Sequence, residues 1–328
     1  MVDQIQLSYL EQTVYFAALR QGIQILDAED VQGLVTISRG HAAKLLADMA
    51  RKGALARVGR GRYVVIPADV LYGRQTFVAD PFQIVDQLLR REGVTEYYVA
   101  YQSAALVYGA ADQLPQALLV ALPGQHRPII VGRAEILSIQ VQRAKFFGSQ
   151  EIRYHDAVLL VSDREKTLLD CLDRFDLCGG MDEVVHTIGA LLPEMDSARL
   201  LAYVPAMRNQ ALAHRLGYIL EALSAQQPVP ITLLDGLADL VGPHVYGLDP
   251  HGPAGGPAHA RWRVRANLAL ALENWKDEGT SASYLAPGRR WQGDAMRLGG
   301  FARHQRLMVQ TIIRRSAQLD GADAWSRE

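Results

Sequence analysis

Cysteine is scarce in this chain of 328 residues: only Cys171 and Cys178 are present, at a spacing that matches no zinc-binding or redox motif. No group of histidines accompanies them, so we expect free thiols and predict neither a metal site nor a cofactor. The sequence also lacks an uninterrupted apolar run long enough to span a membrane. Its first residues have no basic region followed by an apolar core, as a secretion signal would, so we expect a cytoplasmic protein.

Residues 27–67 follow the order of a winged helix-turn-helix: a short helix, a turn, a second helix and a basic hairpin. Asp27 is placed to cap the short helix, and Ser38 to cap the second, which should cover residues 39–52. Gly53 can end that helix in the left-handed conformation. On the second helix, four apolar residues recur at helical spacing and are predicted to face the core: Ala42, Leu45, Leu46 and Met49.

The predicted hairpin adds positive charge to this motif. Leu55–Val58 and Tyr63–Ile66 are predicted strands, and the Gly-Arg-Gly sequence at 59–61 between them is a turn signal. From residue 39 to residue 62 the chain has seven Lys and Arg residues and one acidic residue, Asp48. This local excess of positive charge can neutralise phosphates and release counterions, which predicts binding to double-stranded DNA.

In such a motif the second helix lies in the major groove, with its N-terminal end nearest the bases. We therefore assign contacts at or near base edges to Arg39, His41 and Lys44, next to the cap Ser38. The remaining basic residues are assigned to phosphates, which position a protein without specifying sequence: Arg51, Lys52, Arg57, Arg60 and Arg62. The alternative is a winged helix that makes only protein contacts and has a solvated basic face.

The formal net charge is −1, but its distribution along the chain is uneven. Residues 1–75 carry nine Lys and Arg against seven acidic residues, residues 76–260 carry 13 against 21, and residues 261–328 carry 12 against seven. An acidic middle between basic ends predicts that DNA binding is confined to part of the molecule. Hydrophobic residues make up 49% of the chain, enough for a sizeable core in two or three domains.

Beyond the winged-helix motif, aliphatic runs broken by Gly, Pro and Arg predict one sheet, and a mostly helical half follows. The predicted strands are 97–99, 118–122, 129–131, 136–142 and 157–161, and residues 261–267 alternate like a strand with one basic face. The predicted helices are 82–91, 100–108, 164–175, 181–191, 198–203, 209–223 and 230–240. The expected fold class is α+β: a winged helix-turn-helix at 1–75, a mixed α/β domain at 76–270 and a helical C-terminal extension at 271–328.

Several short segments, taken in order, resemble one known family. They are Tyr98–Gly109, Gln113–Pro115, Phe146–Gly148, Asp163–Asp170, Gly179–Gly180, Arg215–Glu221, Leu248–Pro250 and Arg261–Asn267. Each segment alone is a weak signal. In this order, behind an N-terminal winged helix, they resemble the AbiEi family of antitoxin regulators from bacterial AbiE-type toxin–antitoxin pairs, over residues 10–270.

The resemblance implies a protein with two functions. The winged helix would bind inverted repeats in the promoter of its own operon and repress it. The following domain would counteract a toxin with a nucleotidyltransferase fold, with or without a stable complex, in a system linked to phage defence. Two copies are expected on an inverted repeat as a dimer, and cooperative monomers are the alternative.

Within the resembling segment at 163–170, three charged residues are candidates for the antitoxin function: Asp163, Lys166 and Asp170. Their alternative role is structural, a helix cap and a local ion pair. This alternative stays open at the level of sequence.

Two other functions compete with the antitoxin hypothesis. A nucleotidyltransferase would need a Gly-Ser pair such as Gly148-Ser149 and two carboxylates, Asp163 and Glu165, to hold Mg²⁺. Because Asp163 reads better as a helix cap, we predict no catalytic residue and no enzyme activity. The third hypothesis is an interaction scaffold whose acidic middle masks a basic partner surface. The extension after residue 270 could contact nucleic acid, the toxin or a second copy, or be a solvated helix.

Overall fold

The computed structural model describes residues 6–72, 80–111, 117–131, 134–155 and 157–270. Contacts divide the chain into two units, Met1–Arg289 and Arg290–Glu328, and every described residue belongs to the first unit. The predicted helices of the extension at 271–328 therefore lie outside the described residues. The resembling segment at 113–115 also lies outside them, because residues 112–116 are not described.

The N-terminal part, residues 6–72, consists of helices around a small antiparallel sheet. Its elements are α1 (Tyr9–Arg20), β1 (Ile25–Leu26), α2 (Ala28–Leu34), α3 (Arg39–Arg51), β2 (Leu55–Gly59), β3 (Arg62–Val65) and α4 (Ala68–Tyr72). The strands are ordered β1-β3-β2, so the hairpin β2–β3 is extended on one side by β1. The predicted second helix and both predicted hairpin strands are present within one residue of their expected bounds.

Local sequence explains where these helices begin. Asp27 accepts hydrogen bonds from the backbone N–H groups of Glu29 and Asp30, and the Asp30 side chain accepts one from Asp27 N–H in return. Ser38 Oγ accepts a bond from His41 N–H at 3.3 Å, so the predicted cap of α3 is confirmed. Gly53 follows α3 with a φ of 81°, the left-handed conformation that was expected.

The core of the N-terminal part is built from the apolar faces of α1 and α3 and from the sheet. All four residues predicted to face inward on α3 are buried: Ala42, Leu45, Leu46 and Met49. They pack in one cluster with Val14, Tyr15, Val31 and Tyr63. The Tyr15 hydroxyl donates a 2.7 Å hydrogen bond to Ile66 O, so the polar end of this buried ring has a partner.

The central part contains a six-stranded mixed sheet. Its elements are α5 (Pro81–Arg91), β4 (Tyr98–Val99), α6 (Tyr101–Val107), β5 (Ala117–Leu122), β6 (Ile129–Val131), β7 (Ala134–Gln140), β8 (Ser149–Tyr154) and β9 (Ala157–Ser162). The strand order is β6-β7-β5-β4-β9-β8. The pairs β5–β7 and β4–β9 are parallel, and the other neighbours are antiparallel. The mixed α and β composition agrees with the predicted α+β class.

The sheet contains one strand that the sequence analysis missed. β8 has the sequence Ser-Gln-Glu-Ile-Arg-Tyr and lies at an edge of the sheet, paired with β9 alone among the described strands. Most of its side chains are exposed, because an edge strand is covered less than the strands between others. It therefore lacks the aliphatic run by which the buried strands were recognised.

Helices follow the sheet, as expected. They are α7 (Arg164–Asp173), α8 (Met181–Leu191), α9 (Ser197–Ala206), α10 (Ala211–Leu223) and α11 (Ile231–Asp239). Three two-residue strands then form a small sheet in the order β10-β12-β11: β10 (Tyr246–Gly247), β11 (Ala258–His259) and β12 (Val264–Arg265). Among the described residues, each helix is too short or too polar to cross a membrane.

The predicted strand at 261–267 is wrong over its first part. Residues 260–263 form a turn, and Arg263 has a positive φ of 47°. The turn lets the Trp262 side chain lie fully buried against α10, where a Cβ at Gly217 would come within 2.1 Å of its ring. The predicted alternation of exposed arginines with buried residues is nevertheless present: Arg261, Arg263 and Arg265 are exposed, and Trp262 and Val264 are buried.

Helix α5 connects the N-terminal part to the central sheet. Its apolar side, including Val85 and Leu89, is buried. Its polar side reaches β1: the Gln87 side chain accepts bonds from Gln24 and Ile25 N–H at 3.0 and 3.2 Å and donates one to Gly22 O at 3.0 Å. One helix therefore takes part in both halves of the described chain.

Arg91 adds an ionic contact from the same helix. Its guanidinium lies 2.8 Å from carboxylate oxygens of both Asp27 and Asp30 and donates a 2.7 Å bond to Ile25 O. The capping residues of α2 are thus also the acidic partners of α5. The cap predicted from sequence has a second, tertiary role.

Candidate functional site

The outer face of α3 carries the side chains predicted to approach DNA bases. Arg39, His41 and Lys44 are exposed, while the core residues of the same helix point the other way. Arg39 is the first residue of the helix, so all three lie within its first two turns. This is the end of the helix that was predicted to lie nearest the bases.

The hairpin presents a second basic segment. Arg60 and Gly61 form its exposed tip, and Gly61 has a φ of 71°, which favours glycine at this turn. The pairing register shifts between Arg57 and Gly59, and Arg57 Nε donates a 3.2 Å bond to Gly59 O. This irregularity and bond shape the end of the hairpin next to its exposed cation.

Three of the predicted phosphate-binding cations already have acidic partners. Arg51 pairs with Asp48 on the same helix, Lys52 Nζ lies 2.6 Å from Glu11 Oε2, and Arg62 pairs with Glu92 on α5. Within the described part of the chain, no acidic side chain pairs with the other four basic residues: Arg39, Lys44, Arg57 and Arg60.

The structure therefore corrects the predicted charge excess. The excess of six over residues 39–62 omitted Glu11 and Glu92, which are distant in sequence but contact this surface. Counting them leaves four positive charges without an acidic partner. Burial of the Glu11 carboxyl opposes its ionisation, but hydrogen bonds from Lys52 and Ser8 outweigh it and hold its pKa below the usual value.

The second predicted group, at the start of α7, is buried. Asp163 caps the helix: its Oδ1 accepts a 2.8 Å bond from Lys166 N–H, and its Oδ2 accepts a 2.9 Å bond from the Tyr203 hydroxyl. Burial raises the pKa of this carboxyl in spite of those bonds. The structural role that the sequence left open for Asp163 is thus present.

Lys166 is fully buried and forms an ion pair with Asp170 one turn along α7. Its Nζ lies 5.2 Å from the centre of the Phe147 ring and 5.7 Å from that of Tyr98, so aromatic faces also surround the ammonium group. Burial raises the pKa of Asp170 to about 6, against the opposing effect of Lys166. At neutral pH the Asp170 carboxyl is therefore close to the range in which it takes up a proton.

The structure brings Asp163, Lys166 and Asp170 into one buried cluster. Their exposed fractions are 6%, 0% and 3%, so a partner protein could touch them only after the surrounding elements opened. Gly148 packs against this cluster with a φ of 68°, and a Cβ there would lie 3.0 Å from Lys166 Cβ and from the Tyr203 ring. The Phe-Phe-Gly segment at 146–148 and the segment at 163–170 are thus parts of one packing unit.

The carboxylates required by the nucleotidyltransferase hypothesis have other partners. Glu165 is buried and accepts a 2.6 Å bond from Asp196 N–H, and Arg199 lies 3.4 Å from its second oxygen. Asp163 is occupied by the cap and by Tyr203. Among the described residues, no three His, Cys, Asp or Glu side chains are grouped so that they could hold a metal ion.

Comparison with known proteins agrees with the resemblance seen in the sequence. Residues 97–222 match the model of the AbiEi antitoxin C-terminal domain. The match includes the segments at 98–109, 146–148, 163–170 and 215–221, and it supports an antitoxin of the AbiEi family. The predicted resemblance is therefore confirmed over residues 97–222.

A solved structure shares the fold. The RV2827C protein from Mycobacterium tuberculosis superposes with a TM-score of 0.59 at 15% sequence identity, over 79% of this chain and 92% of that chain. At this identity the likeness concerns the fold alone. No curated protein matches the chain.

Proposed function

We propose that this protein is an AbiEi-type antitoxin that also represses its own toxin–antitoxin operon by binding DNA. The observation that carries the antitoxin half is the family match over residues 97–222. The toxin would have a nucleotidyltransferase fold and need not form a stable complex. This part of the proposal follows from the family resemblance.

The DNA-binding half rests on the N-terminal part, residues 1–75, which we interpret as a winged helix-turn-helix. α2 and α3 are the two helices of that motif, β2 and β3 are its wing, and α3 exposes Arg39, His41 and Lys44 at its N-terminal end. A helix with this exposure can enter the major groove, while Arg57 and Arg60 contact phosphates. The target is double-stranded DNA with inverted repeats in the promoter of the operon, bound by two copies.

For the antitoxin domain, residues 76–270, we propose an indirect role for Asp163, Lys166 and Asp170. Because all three are buried, they would support the surface that acts on the toxin without touching the toxin themselves. The positions of Asp163 and Glu165 need no catalytic explanation. Asp163 accepts a hydrogen bond from Lys166 N–H in the first turn of α7, and Glu165 accepts one from Asp196 N–H. The protein would therefore act by binding.

The test of DNA binding is a salt series with the duplex from immediately upstream of the gene and a scrambled duplex of equal length. Wild type should prefer the upstream duplex, and its log affinity should fall linearly with log salt concentration. Arg39→Ala and Lys44→Ala should each reduce that preference by about 1–3 kcal/mol. Arg143→Ala removes an exposed cation of the central part and serves as the matched control.

Equal and weak affinity of wild type for both duplexes would refute the repressor half of the proposal. Unchanged preference in both variants, with unchanged salt dependence, would remove α3 from the interface. The antitoxin half is tested separately, by growth rescue when the protein is co-expressed with a candidate nucleotidyltransferase-fold toxin. Failure to rescue would leave DNA binding intact and refute the antitoxin assignment for that toxin.

A further inference from the structure

A groove of about 250 Å³ lies where the hairpin of the N-terminal part meets the central sheet. One wall is the hairpin, with Gly59 and Arg62, and another is the C-terminal end of α5, with Glu92. The third wall is the loop 123–128 that joins β5 to β6, with His126 and Arg127. The groove therefore combines a segment assigned to DNA binding with a loop of the antitoxin domain.

Positive groups outnumber negative ones in this groove. Arg62 pairs with Glu92, and His126 Nε2 lies 4.0 Å from the same carboxylate. Arg127 is exposed, and no acidic side chain of the described chain pairs with it. The lining thus contains two guanidinium groups and one carboxylate, which leaves a net positive charge beside the hairpin.

We propose that the loop 123–128 extends the DNA interface, with Arg127 neutralising a backbone phosphate next to those reached by Arg60 and Arg62. This inference rests on the proposed DNA-binding function. A phosphate is favoured because the groove continues the basic hairpin and offers guanidinium groups from two separate segments of the chain. The antitoxin domain then contributes directly to affinity for DNA, although not to the choice of sequence.

Glu92 has an opposing role in this arrangement. Its carboxylate holds Arg62 in an ion pair whose two side chains are each about 30% exposed, so Arg62 must leave or share this partner to reach a phosphate. Neutralising Glu92 should therefore strengthen DNA binding. An effect in this direction is diagnostic, because a substitution that merely disturbed the fold would weaken binding.

The inference is tested with the full-length chain in the same salt series. Loss of one phosphate contact lowers the magnitude of the log–log slope by about 0.9 and, at 0.1 M salt, lowers affinity about eightfold. Arg127→Ala should show this loss equally on the upstream and scrambled duplexes, with an unchanged ratio between them. Arg127→Lys should restore the slope, and Arg143→Ala should leave both slope and affinity as in wild type.

Glu92→Gln should steepen the slope and raise affinity for both duplexes. A slope for Arg127→Ala equal to that of wild type would overturn the inference, and so would unchanged or weaker binding by Glu92→Gln. If Arg39→Ala lost sequence preference while Arg127→Ala behaved as wild type, the proposed function would stand and this inference would fall. If wild type bound neither duplex, both would fall.

Discussion

Removal of Lys166 from its buried pair is the most informative perturbation of the antitoxin domain. Lys166→Met keeps the length of the side chain but leaves the Asp170 carboxyl, 3% exposed, without its cation. Breaking a buried pair by removing one partner costs about 3–5 kcal/mol. Since a whole domain is stable by only about 5–15 kcal/mol, a loss of this size should be plain in urea denaturation.

The cost of Lys166→Met should depend on pH. The pKa of Asp170 is already raised to about 6 by burial, and losing Lys166 raises it further. A carboxyl whose pKa is higher in the folded than in the unfolded state binds more protons when folded. Stability therefore falls as the pH rises from the unfolded-state pKa through the folded-state pKa. The variant should therefore regain stability as pH is lowered from 7 towards 5, relative to wild type.

The substitution of Asp170, the other member of the pair, should show no such recovery of stability at lower pH. Asp170→Asn leaves the Lys166 side chain buried without its carboxylate, and lowering the pH favours the charged form of an amine, so the loss of stability should persist at pH 5. The double variant Lys166→Met/Asp170→Leu replaces the pair by apolar groups of similar size. Its free energy of unfolding should be within about 1 kcal/mol of that of wild type, or higher. The coupling energy from this double-mutant cycle would then be several kcal/mol.

The same variants separate an indirect role from direct contact with a toxin. If the cluster acts only as a support, the stable double variant retains growth rescue while each unstable single variant loses it. Loss of rescue in a double variant of native stability would show instead that the charges themselves are needed. A cost below about 1 kcal/mol for Lys166→Met at pH 7 would refute the reasoning, because removing one partner of a buried pair should cost about 3–5 kcal/mol.

Two further outcomes follow from single contacts. Gly217→Ala should cost about 3 kcal/mol in urea denaturation, because its Cβ would lie 2.1 Å from the buried Trp262 ring; Gly33→Ala, with nothing within 4 Å, is the control and should be neutral or stabilising. An equal effect of the two alanines would contradict this packing. Asp80→Asn preserves a cap for α5 but removes a carboxyl whose pKa burial raises to about 6. The free energy of unfolding of wild type, relative to that of this variant, should fall by up to about 3 kcal/mol as the pH rises from 4 to 6. A difference between the two proteins that does not change with pH would contradict the raised pKa of Asp80.

Patterns that depend on neighbours in sequence were predicted well. The caps Asp27 and Ser38, the inward face of α3 and the end of that helix at Gly53 follow from interactions within a few residues, and the structure confirms them. Asp163 as the cap of α7 belongs to the same kind. Such features are fixed by backbone hydrogen bonds and helical spacing, which the sequence displays directly.

Features that depend on distant partners could not be predicted. Nothing in the sequence near Lys52 or Arg62 indicates that Glu11 and Glu92 neutralise them, since these partners are 41 and 30 positions away. The burial of Lys166 was likewise unforeseen, because a lysine inside a helix is usually exposed and its aromatic surroundings come from Tyr98 and Phe147. Long-range pairing of charge is set by tertiary packing. A charge count within one segment therefore overestimates the number of cations that lack an acidic partner on the surface.

Helix α5 bears on how the two proposed functions are connected. A flexible linker would let a DNA-binding part turn freely, but α5 buries its apolar side in the central part and fixes β1 through Gln87 and Arg91. Its last turn is followed by Glu92, which holds Arg62 of the hairpin. Side-chain contacts of this one helix therefore link the hairpin and β1 to the central part. Glu92 therefore links the central part to the hairpin through a charged group that lies within the proposed DNA interface.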